Sequence, residues 1–396
     1  MPKPLEGKRI LSIIYGTALF GSERANLEAL KAMSEQGAEI HVAVSGRVAG
    51  GGDVGEEARR CGFKTFEMPL GSHFAFNWML KDHRYRRRQI KRIWTNSRLL
   101  SQKIKAIQPS HLLFSSVLSF MFCGLATVVH RTPLIYRIGD APPADSRFQL
   151  FFWKWLVRRA DHIVCVSDYI RKLVLERSGK NERLVTRIHN IPISRGGALD
   201  IQKCNDLRKS KCPLQLIFVG QISTIKGVDL LVEALIKKND PDLGCWIIGG
   251  GKFTNTLESK LRYRYSSTQT RTSIEFLGYL DNPSIFYEAA DLVIVPSNCD
   301  EALGNIVQEA ALHKKASIIS NRGGLPEMVI HSKTGLILKE LSVEAMIETI
   351  EWSRDNVDLF EKMGENAFKF VTLHLSREKF SQQWVQVLNK SAENDG

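Results

Sequence analysis

The sequence predicts an α/β fold made of two doubly wound domains, each built around a parallel sheet. The chain has 396 residues, which suits two domains of somewhat under about 200 residues better than one core. Short apolar runs alternate with helical patterns throughout, as in repeated strand–helix–strand units. Five such runs lie in each half of the chain.

The predicted strands are apolar runs that end at small or polar residues, because strands covered by helices on both faces are buried on both sides. In the first half they are Ile10–Tyr15, Ile40–Val44, Leu112–Ser115, Leu134–Ile138 and His162–Val166. In the second half they are Gln215–Val219, Gly244–Ile248, Ser273–Phe276, Leu292–Val295 and Ser317–Ile319. A ligand is expected at the carboxyl ends of these strands.

The domain boundaries follow from changes in pattern. Residues 1–193 form the first predicted domain and residues 214–372 the second. Between them, residues 194–213 lack periodicity and are rich in Gly, Lys, Asn and Asp, so they are predicted to be a linker. The last segment, 373–396, contains a helical pattern around Ser376–Lys390 that we expect to cross back onto the first domain.

The positive charge is confined to the first domain. The whole chain carries a formal charge of +13, whereas residues 1–193 contain 31 basic and 16 acidic residues, so the remainder is close to neutral. This asymmetry predicts an anionic partner for the first domain: nucleic acid, an acidic lipid surface or a phosphorylated substrate. Seven cysteines without regular spacing indicate a reducing, cytoplasmic compartment.

One uncharged stretch requires a test for a membrane span. Leu112–Val129 has no charge over 18 residues, but serines, a glycine and a threonine dilute it, and it is short for a span. A buried strand followed by a buried helix is the preferred interpretation.

The most informative segment contains two glutamates, Glu301 and Glu309. A buried strand ends before this segment, Glu301 lies in a polar loop, and a helix begins near Gly304. The unpaired amides and the positive dipole end of a helix suit a phosphate or sugar hydroxyls. Carboxylates here could accept hydrogen bonds from a ribose diol or a donor sugar. Two glutamates at this spacing also occur on solvated helices, so the neighbouring strand ends decide the interpretation.

Three other predicted strand ends bring glycine or charge to the same edge. Gly220 and Gln221 follow one strand and lead to a helix with Lys226 at its start, where a lysine offers a point charge to a diphosphate. Gly250 lies among three glycines that follow the next strand and let the backbone approach a ligand closely. Asn321–Glu327 follows the third strand.

These motifs resemble those of glycosyltransferase family 4, retaining enzymes of the GT-B fold. That fold has two Rossmann-like domains facing a cleft, with a C-terminal helix returning to the first. Three family signatures stand here as Ala290-Asp291 through Ser297, Glu301 to Glu309, and Gly323 to Glu327. In the first half, Phe20–Arg24 resembles the family's glycine-rich entry loop and Ala160–Ser167 its last strand. The resemblance covers nearly the whole chain and is strongest from Leu216 to Leu338.

The resemblance implies a role for each matching residue. Glu309 would bind the ribose, and Gly21 would let the first domain close on the donor. Glu301 would bind the donor sugar and Lys226 would neutralise the diphosphate, and both are counted as catalytic. The remaining donor-binding positions implied are Gly220, Gln221, Gly250, Leu303, Gly304, Asn305 and Ile306. In retaining members the departing phosphate helps to deprotonate the acceptor. No side-chain base and no cofactor beyond a nucleotide-sugar donor, with UDP-sugars favoured, are therefore expected.

Two positions depart from the family pattern. Gln221 stands where the family has a diphosphate-binding arginine, so one positive charge is lost unless Arg24 or Arg322 compensates. Gly139 and Asp140 stand where the family has His-Asp. Asp140 is predicted to take over an acceptor or donor hydroxyl and is the third predicted catalytic residue.

Asp240-Pro-Asp242 has the shape of a metal-binding Asp-x-Asp motif. It precedes a predicted strand, which is the wrong edge of the sheet for the ligand. A turn is the preferred interpretation, and no metal is expected.

A second signal is a basic segment, in which Lys81–Lys105 contains ten basic residues against the single Asp82. Four apolar residues precede it: Phe74, Phe76, Trp78 and Met79. Docking on anionic lipid is the favoured interpretation, each basic residue contributing about 1 kcal/mol near such a surface. A solvated helix face and nucleic-acid binding stay open. The proposed contact residues are Arg84, Arg86, Arg87, Arg88, Lys91 and Arg92. The aromatic and basic run Phe148–Arg159 is predicted to be mainly helix core, with extension of the same basic surface by part of it left open.

These features together predict a glycosyltransferase of cell-envelope polysaccharide or lipopolysaccharide synthesis, peripheral on the inner face of the plasma membrane. It would move a hexose or N-acetylhexosamine to a lipid-linked or phosphorylated glycan. The basic domain would meet the acceptor and the second domain would hold the donor. The alternatives are a sugar-nucleotide epimerase of the same fold and a basic nucleic-acid-binding protein. An oxidoreductase is disfavoured because Gly16–Gly21 lacks GxGxxG spacing.

Overall fold

The computed structural model describes residues 2–49, 52–71, 82–143, 147–193, 200–250 and 255–393. The chain forms two compact units. The first comprises Met1–Asn190 together with Arg377–Gly396, and the second comprises Ile191–Ser376. Each unit contains one parallel sheet with helices between successive strands. The predicted fold class, two Rossmann-like α/β domains, is therefore confirmed.

The sheet of the first unit has seven strands in the order β3-β2-β1-β4-β5-β6-β7. They are β1 (Arg9–Ile13), β2 (Glu39–Ser45), β3 (Lys64–Met68), β4 (His111–Phe114), β5 (Leu134–Ile138), β6 (His162–Cys165) and β7 (Val185–Arg187). The helices are α1 (Gly21–Glu35), α2 (Gly52–Arg60), α3 (His83–Ile107), α4 (Val117–Cys123), α5 (Ala126–Val129), α6 (Arg147–Arg159), α7 (Asp168–Ser178) and, at the C-terminus, α15 (Arg377–Glu393).

The sheet of the second unit has six strands in the order β10-β9-β8-β11-β12-β13. They are β8 (Leu214–Val219), β9 (Leu243–Ile248), β10 (Ser273–Gly278), β11 (Leu292–Val295), β12 (Ala316–Ile319) and β13 (Gly335–Ile337). The helices are α8 (Ile201–Ser210), α9 (Val228–Lys238), α10 (Asn255–Ser266), α11 (Ser284–Ala289), α12 (Asn305–Leu312), α13 (Val343–Asp355) and α14 (Val357–His374).

All ten predicted strands are present, but the prediction of five strands per domain was too low. The three missed strands are β3, β7 and β13, and each lies at the edge of its sheet. An edge strand has one neighbour and is less completely buried, so its sequence need not be a continuous apolar run. Lys64 and Glu67 are exposed in β3, whereas every residue of β4, β5 and β6 is buried.

The predicted linker contains a helix. Residues 194–199 lie outside the described residues, but Ile201–Ser210 forms α8, capped by the Asp200 side chain, which accepts from the Lys203 amide at 2.9 Å. The helix packs on α11 of the second unit, where Arg208 donates to the Glu288 carbonyl at 3.1 Å. No apolar periodicity marks this helix in the sequence, because Cys204 alone is buried in α8.

The last helix belongs to the first unit, where it packs on α1. Arg377, at the first position of α15, forms ion pairs with Glu28 at 2.7 Å and Glu35 at 2.8 Å. The Arg377 guanidinium holds the pKa of the Glu35 carboxyl below its ordinary value.

The uncharged stretch Leu112–Val129 is divided between β4 and the short helices α4 and α5. In the described part of the chain, no helix combines the length and the apolar character that a membrane crossing needs.

Two buried histidines make the stability of the first unit depend on pH. His111 and His162 are each 1% exposed, and burial lowers the pKa of each to about 4. Lys8 lowers the pKa of His111 further and Asp161 opposes it, whereas Lys390 and Lys180 lower that of His162. Both rings are therefore neutral in the folded protein at pH 6.

Stability should consequently be complete above the ordinary histidine pKa of about 6.5 and fall as the pH drops from there toward 4. Urea unfolding midpoints between pH 7.5 and 5 measure this. Replacing both His111 and His162 with glutamine should flatten the dependence, because glutamine cannot gain the proton that the unfolded wild-type chain binds. Parallel profiles for the two proteins would contradict the assignment.

Candidate active site

The candidate site lies at the carboxyl ends of four adjacent strands, β9, β8, β11 and β12. Chain order reverses between β8 and β11, which is where doubly wound sheets bind ligands. The segments after these two strands carry Lys226 and Glu301 respectively. The backbone also joins them, since the Asn298 amide donates to the Ile225 carbonyl at 2.9 Å.

Lys226 and Glu301 form an ion pair at this reversal point. Lys226 Nζ lies 2.5 Å from Glu301 Oε1, and the two side chains are 28% and 18% exposed. Ser297 Oγ donates to the same carboxylate oxygen at 2.6 Å. Both donors therefore reach Oε1, and among the described residues no side chain donates to Oε2. That oxygen is available to accept a hydroxyl from a ligand.

Two serines support this carboxylate, and sequence reasoning assigned neither of them a role. Ser297 and Ser320 are each 1% exposed, and Ser320 Oγ donates to the Ser297 carbonyl at 2.7 Å. A buried hydroxyl needs a partner, so Ser320 fixes the loop from which Ser297 reaches Glu301. The Pro-Ser at the end of β11 was the available signal, because it stands four residues before Glu301.

The loop after β12 supports Glu301 from its backbone side. The Gly324 amide donates to the Glu301 carbonyl at 2.7 Å. Gly323 has φ +57°, and a Cβ there would lie 2.3 Å from that carbonyl oxygen, so a side chain would displace the glutamate backbone. The Gly-Gly pair therefore fixes the position of the carboxylate.

The helix α12 begins directly after the loop that carries Glu301. Its N-cap is Gly304, with φ +114°, a backbone conformation that favours glycine. Leu303 is buried, Asn305 and Ile306 are half-buried in the first turn, and Glu309 is 9% exposed one turn further on. The first-turn amides of a helix have no intrahelical acceptor and attract anions, so the site combines an anion-binding helix end with two carboxylates.

The other predicted site residues follow the ends of several different strands or open a helix. Gly220 and Gly250 are half-buried where the chain leaves β8 and β9, and Gln221 is exposed. Arg322, one of two possible replacements for the missing arginine charge, is exposed after β12. Two predicted residues, Gly21 and Asp140, belong to the first unit. Gly21 opens α1 and Asp140 follows β5, and both are exposed.

Two family models match the chain. The model described as Glycosyltransferase Family 4 matches residues 21–191, and the model described as Glycosyl transferases group 1 matches residues 202–370. Together they account for most of both units. The chain belongs to glycosyltransferase family 4. The family resemblance of the sequence is thereby confirmed.

The relatives of this family 4 member are distant in sequence. An uncharacterised glycosyltransferase of Methanocaldococcus jannaschii is 28% identical over 222 residues, which are 56% of this chain and 57% of that protein. The chain thus spans a little over half the length of such curated relatives. A glycosyltransferase structure from Rickettsia africae has a TM-score of 0.81 at 19% identity, covering 98% of this chain and 99% of that one. Anabaena HepE, solved with UDP-glucose, has a TM-score of 0.77 at 17% identity, with coverages of 96% and 99%. These structures show the GT-B fold.

The Asp-x-Asp segment of this family 4 protein is a turn at the amino end of β9. Asp240 accepts from Arg354 Nη1 at 2.7 Å, and its other carboxylate oxygen accepts from the Asp242 amide at 3.0 Å. The described residues contain no cluster of three metal-ligating side chains.

The basic segment of the family 4 protein forms α3, apart from Lys81 and the apolar residues Phe74, Phe76, Trp78 and Met79, which lie outside the described residues. The six predicted contact residues, Arg84, Arg86, Arg87, Arg88, Lys91 and Arg92, are all exposed. They do not share a face, because consecutive residues are turned by about 100° around a helix. Arg87 and Lys91 lie on the face that also carries Trp94 and Arg98, while Arg92 approaches Gly71.

The second aromatic run forms α6, in which Trp153, Leu156 and Val157 are buried and the other ten residues are half-buried or exposed. Trp153 is fully buried, and Trp155 packs edge-on against Phe120 at 4.8 Å between ring centroids. Phe151 is 63% exposed.

Proposed function

We propose that this protein is a retaining glycosyltransferase that moves a hexose or N-acetylhexosamine from a nucleotide sugar to a glycan acceptor. The observation that carries the proposal is the Lys226–Glu301–Ser297 cluster at the strand reversal point, beside the first turn of α12. It places a cation, a carboxylate and helix amides at one sheet edge, and a diphosphate sugar needs these three groups. UDP-sugars are the first donors to test, since HepE binds UDP-glucose.

Each group has a proposed role in the transfer. Glu309 accepts hydrogen bonds from the ribose hydroxyls, and Oε2 of Glu301 accepts from the donor sugar. The first-turn amides of α12 and Lys226 stabilise the charge that develops on the departing diphosphate. Asp140 orients a hydroxyl of donor or acceptor. No metal or further cofactor takes part, because the helix end and the lysine supply the positive charge.

Product stereochemistry tests this proposal. With a UDP-sugar donor and a phosphorylated glycan acceptor in EDTA, NMR of the product should show the anomeric configuration of the donor. Inversion of the anomeric configuration would rule out a retaining mechanism. Release of a 2-epimer of the sugar without transfer would indicate an epimerase instead.

We propose further that α3 docks the protein on the anionic inner face of the plasma membrane, where a lipid-linked acceptor is found. Ile90 and Trp94 are 55% and 58% exposed and lie one turn apart on the face that carries Arg87, Lys91 and Arg98. Among the described residues none of these three cations pairs with a carboxylate. Tryptophan suits a membrane interface, and unpaired cations attract anionic headgroups.

Replacing Arg87, Lys91 and Arg98 with glutamate should release the protein from vesicles containing phosphatidylserine. Three charges are reversed, and each basic residue contributes about 1 kcal/mol near such a surface. Co-sedimentation with vesicles measures the bound fraction. The matched control replaces the exposed residues Lys3, Lys172 and Arg183 with glutamate. This variant should bind the vesicles nearly as well as the wild type. Equal loss in both variants would mean that overall charge, rather than α3, attracts the membrane.

A further inference from the structure

A buried arginine in the first unit has only neutral side chains as hydrogen-bond partners among the described residues. Arg137, in β5, is 3% exposed. Its Nη1 donates to the Asn26 side chain of α1, and its Nη2 donates to the Asn190 side chain at 2.6 Å. Both acceptors are neutral amides that are themselves buried. No carboxylate of the described residues forms an ion pair with this guanidinium.

This guanidinium therefore keeps a positive charge without an ion pair in the described residues, and it has N–H groups that donate to none of them. A guanidinium has five N–H groups, and only two of its hydrogen bonds go to the described protein. Burial lowers the pKa of Arg137 to about 10, and the nearby Asp140 charge raises it, so the group stays charged at neutral pH. Buried charges in proteins are normally paired or fully hydrogen-bonded, and Arg137 meets neither condition.

The space next to this charge is open at Gly139. A Cβ built on Gly139 would meet only Arg137 Nη1 and Val166 Cγ1, each at 3.9 Å. The family pattern has a histidine at this position, so the glycine leaves room that a side chain would otherwise fill. The space lies at the carboxyl end of β5, the edge of the sheet at which substrates bind.

We propose that Arg137 binds a carboxylate or phosphate substituent of a sugar substrate in the space at Gly139. Such a group would form the direct ion pair that Arg137 lacks among the described residues and would accept hydrogen bonds from its remaining N–H groups, whereas a neutral hydroxyl would form no ion pair. The assignment rests on the proposed function and narrows its substrates to anionic sugars. The substituent belongs either to the donor sugar or to the acceptor, and both sources share this chemistry.

Matched pairs of ligands test the proposal by calorimetry. UDP-glucuronate against UDP-glucose tests the donor as the source, and glucose 6-phosphate and glucuronate against glucose test the acceptor. In at least one comparison the anionic ligand should bind about tenfold more tightly, the effect of one charge-assisted hydrogen bond. Equal affinities in every comparison would overturn the proposal.

Two variants and a control separate the anion site from the fold. Gly139→Leu fills the space without removing Arg137, and Arg137→Gln removes the charge; each should abolish the anionic preference. Ala141→Leu adds similar volume at an exposed position two residues away and should retain it. If Gly139→Leu also retains it, the site is not at Gly139.

UDP itself separates this proposal from the proposed function. If UDP and both UDP-sugars fail to bind, the donor assignment fails, while the comparison of charged and neutral sugars still decides the anion site. If UDP binds and no anionic ligand binds more tightly than its neutral counterpart, the donor site is supported and the anion site at Arg137 is contradicted.

Discussion

Replacing Glu309 with alanine should lower the affinity for UDP and UDP-sugars by on the order of 100-fold, which corresponds to the loss of two hydrogen bonds to a charged group. The side chain is 9% exposed in α12, so water cannot readily replace it at the ribose. The effect should be in binding, because these hydrogen bonds form equally with the ground state and the transition state. Calorimetry with UDP measures it.

A ligand that lacks the ribose hydroxyls provides the control for this variant. The wild-type protein should bind UDP much more tightly than 2′,3′-dideoxy-UDP, and the Glu309→Ala variant should bind the two equally. Glu361→Ala, at an exposed position of α14, is the matched substitution and should leave both affinities unchanged. A variant that still discriminates between the two nucleotides would show that another group holds the ribose.

Replacing Lys226 with methionine should reduce kcat by roughly 100- to 1,000-fold, the usual cost of removing one group that stabilises developing charge. The cost should be high in this protein because Gln221, at the position of the family's arginine, is neutral. Lys226 has a second possible role, since its Nζ lies 2.5 Å from Glu301 Oε1 and can position that carboxylate. Steady-state kinetics with a UDP-sugar measure the effect, with Lys237→Met as control. Lys237 pairs with Glu344 on the surface of the same unit.

A double-mutant cycle separates the two roles of Lys226. If the lysine acts on the diphosphate, Lys226→Met should slow transfer in the wild type and in Glu301→Gln by similar factors. If the lysine only positions Glu301, the Lys226→Met substitution should have little effect on kcat in the Glu301→Gln background, where the carboxylate is absent. Wild-type kcat in Lys226→Met would contradict both roles.

Local sequence was sufficient for the parts of the fold whose burial is complete. The central strands β4, β5, β8 and β11 appear as apolar runs because helices cover both of their faces. The strand ends were equally readable, since parallel strands present their carboxyl ends at one edge. This places Lys226 and Glu301 at the same edge without knowledge of any contact between them.

Partly exposed elements were harder to predict. The edge strand β3 mixes Lys64 and Glu67 with apolar residues, and α8 buries only Cys204, so neither shows a complete apolar period. The same difficulty affects the basic segment. Its composition predicts an anionic partner, but only the helix geometry of α3 shows that Arg87 and Lys91 share the face of Trp94 and that Arg92 does not.

The sequence alone determined the fold class, the edge of the sheet that carries the site and the family, because these depend on local patterns of burial and on short motifs. The tertiary structure decided which groups meet. Lys226 and Glu301 are 75 residues apart in the chain, and Asn26 and Arg137 are 111 apart. Such pairings depend on how helices and strands pack, and no local pattern encodes them. The burial of Arg137 and its hydrogen bonds to two neutral amides are therefore visible only in the folded chain.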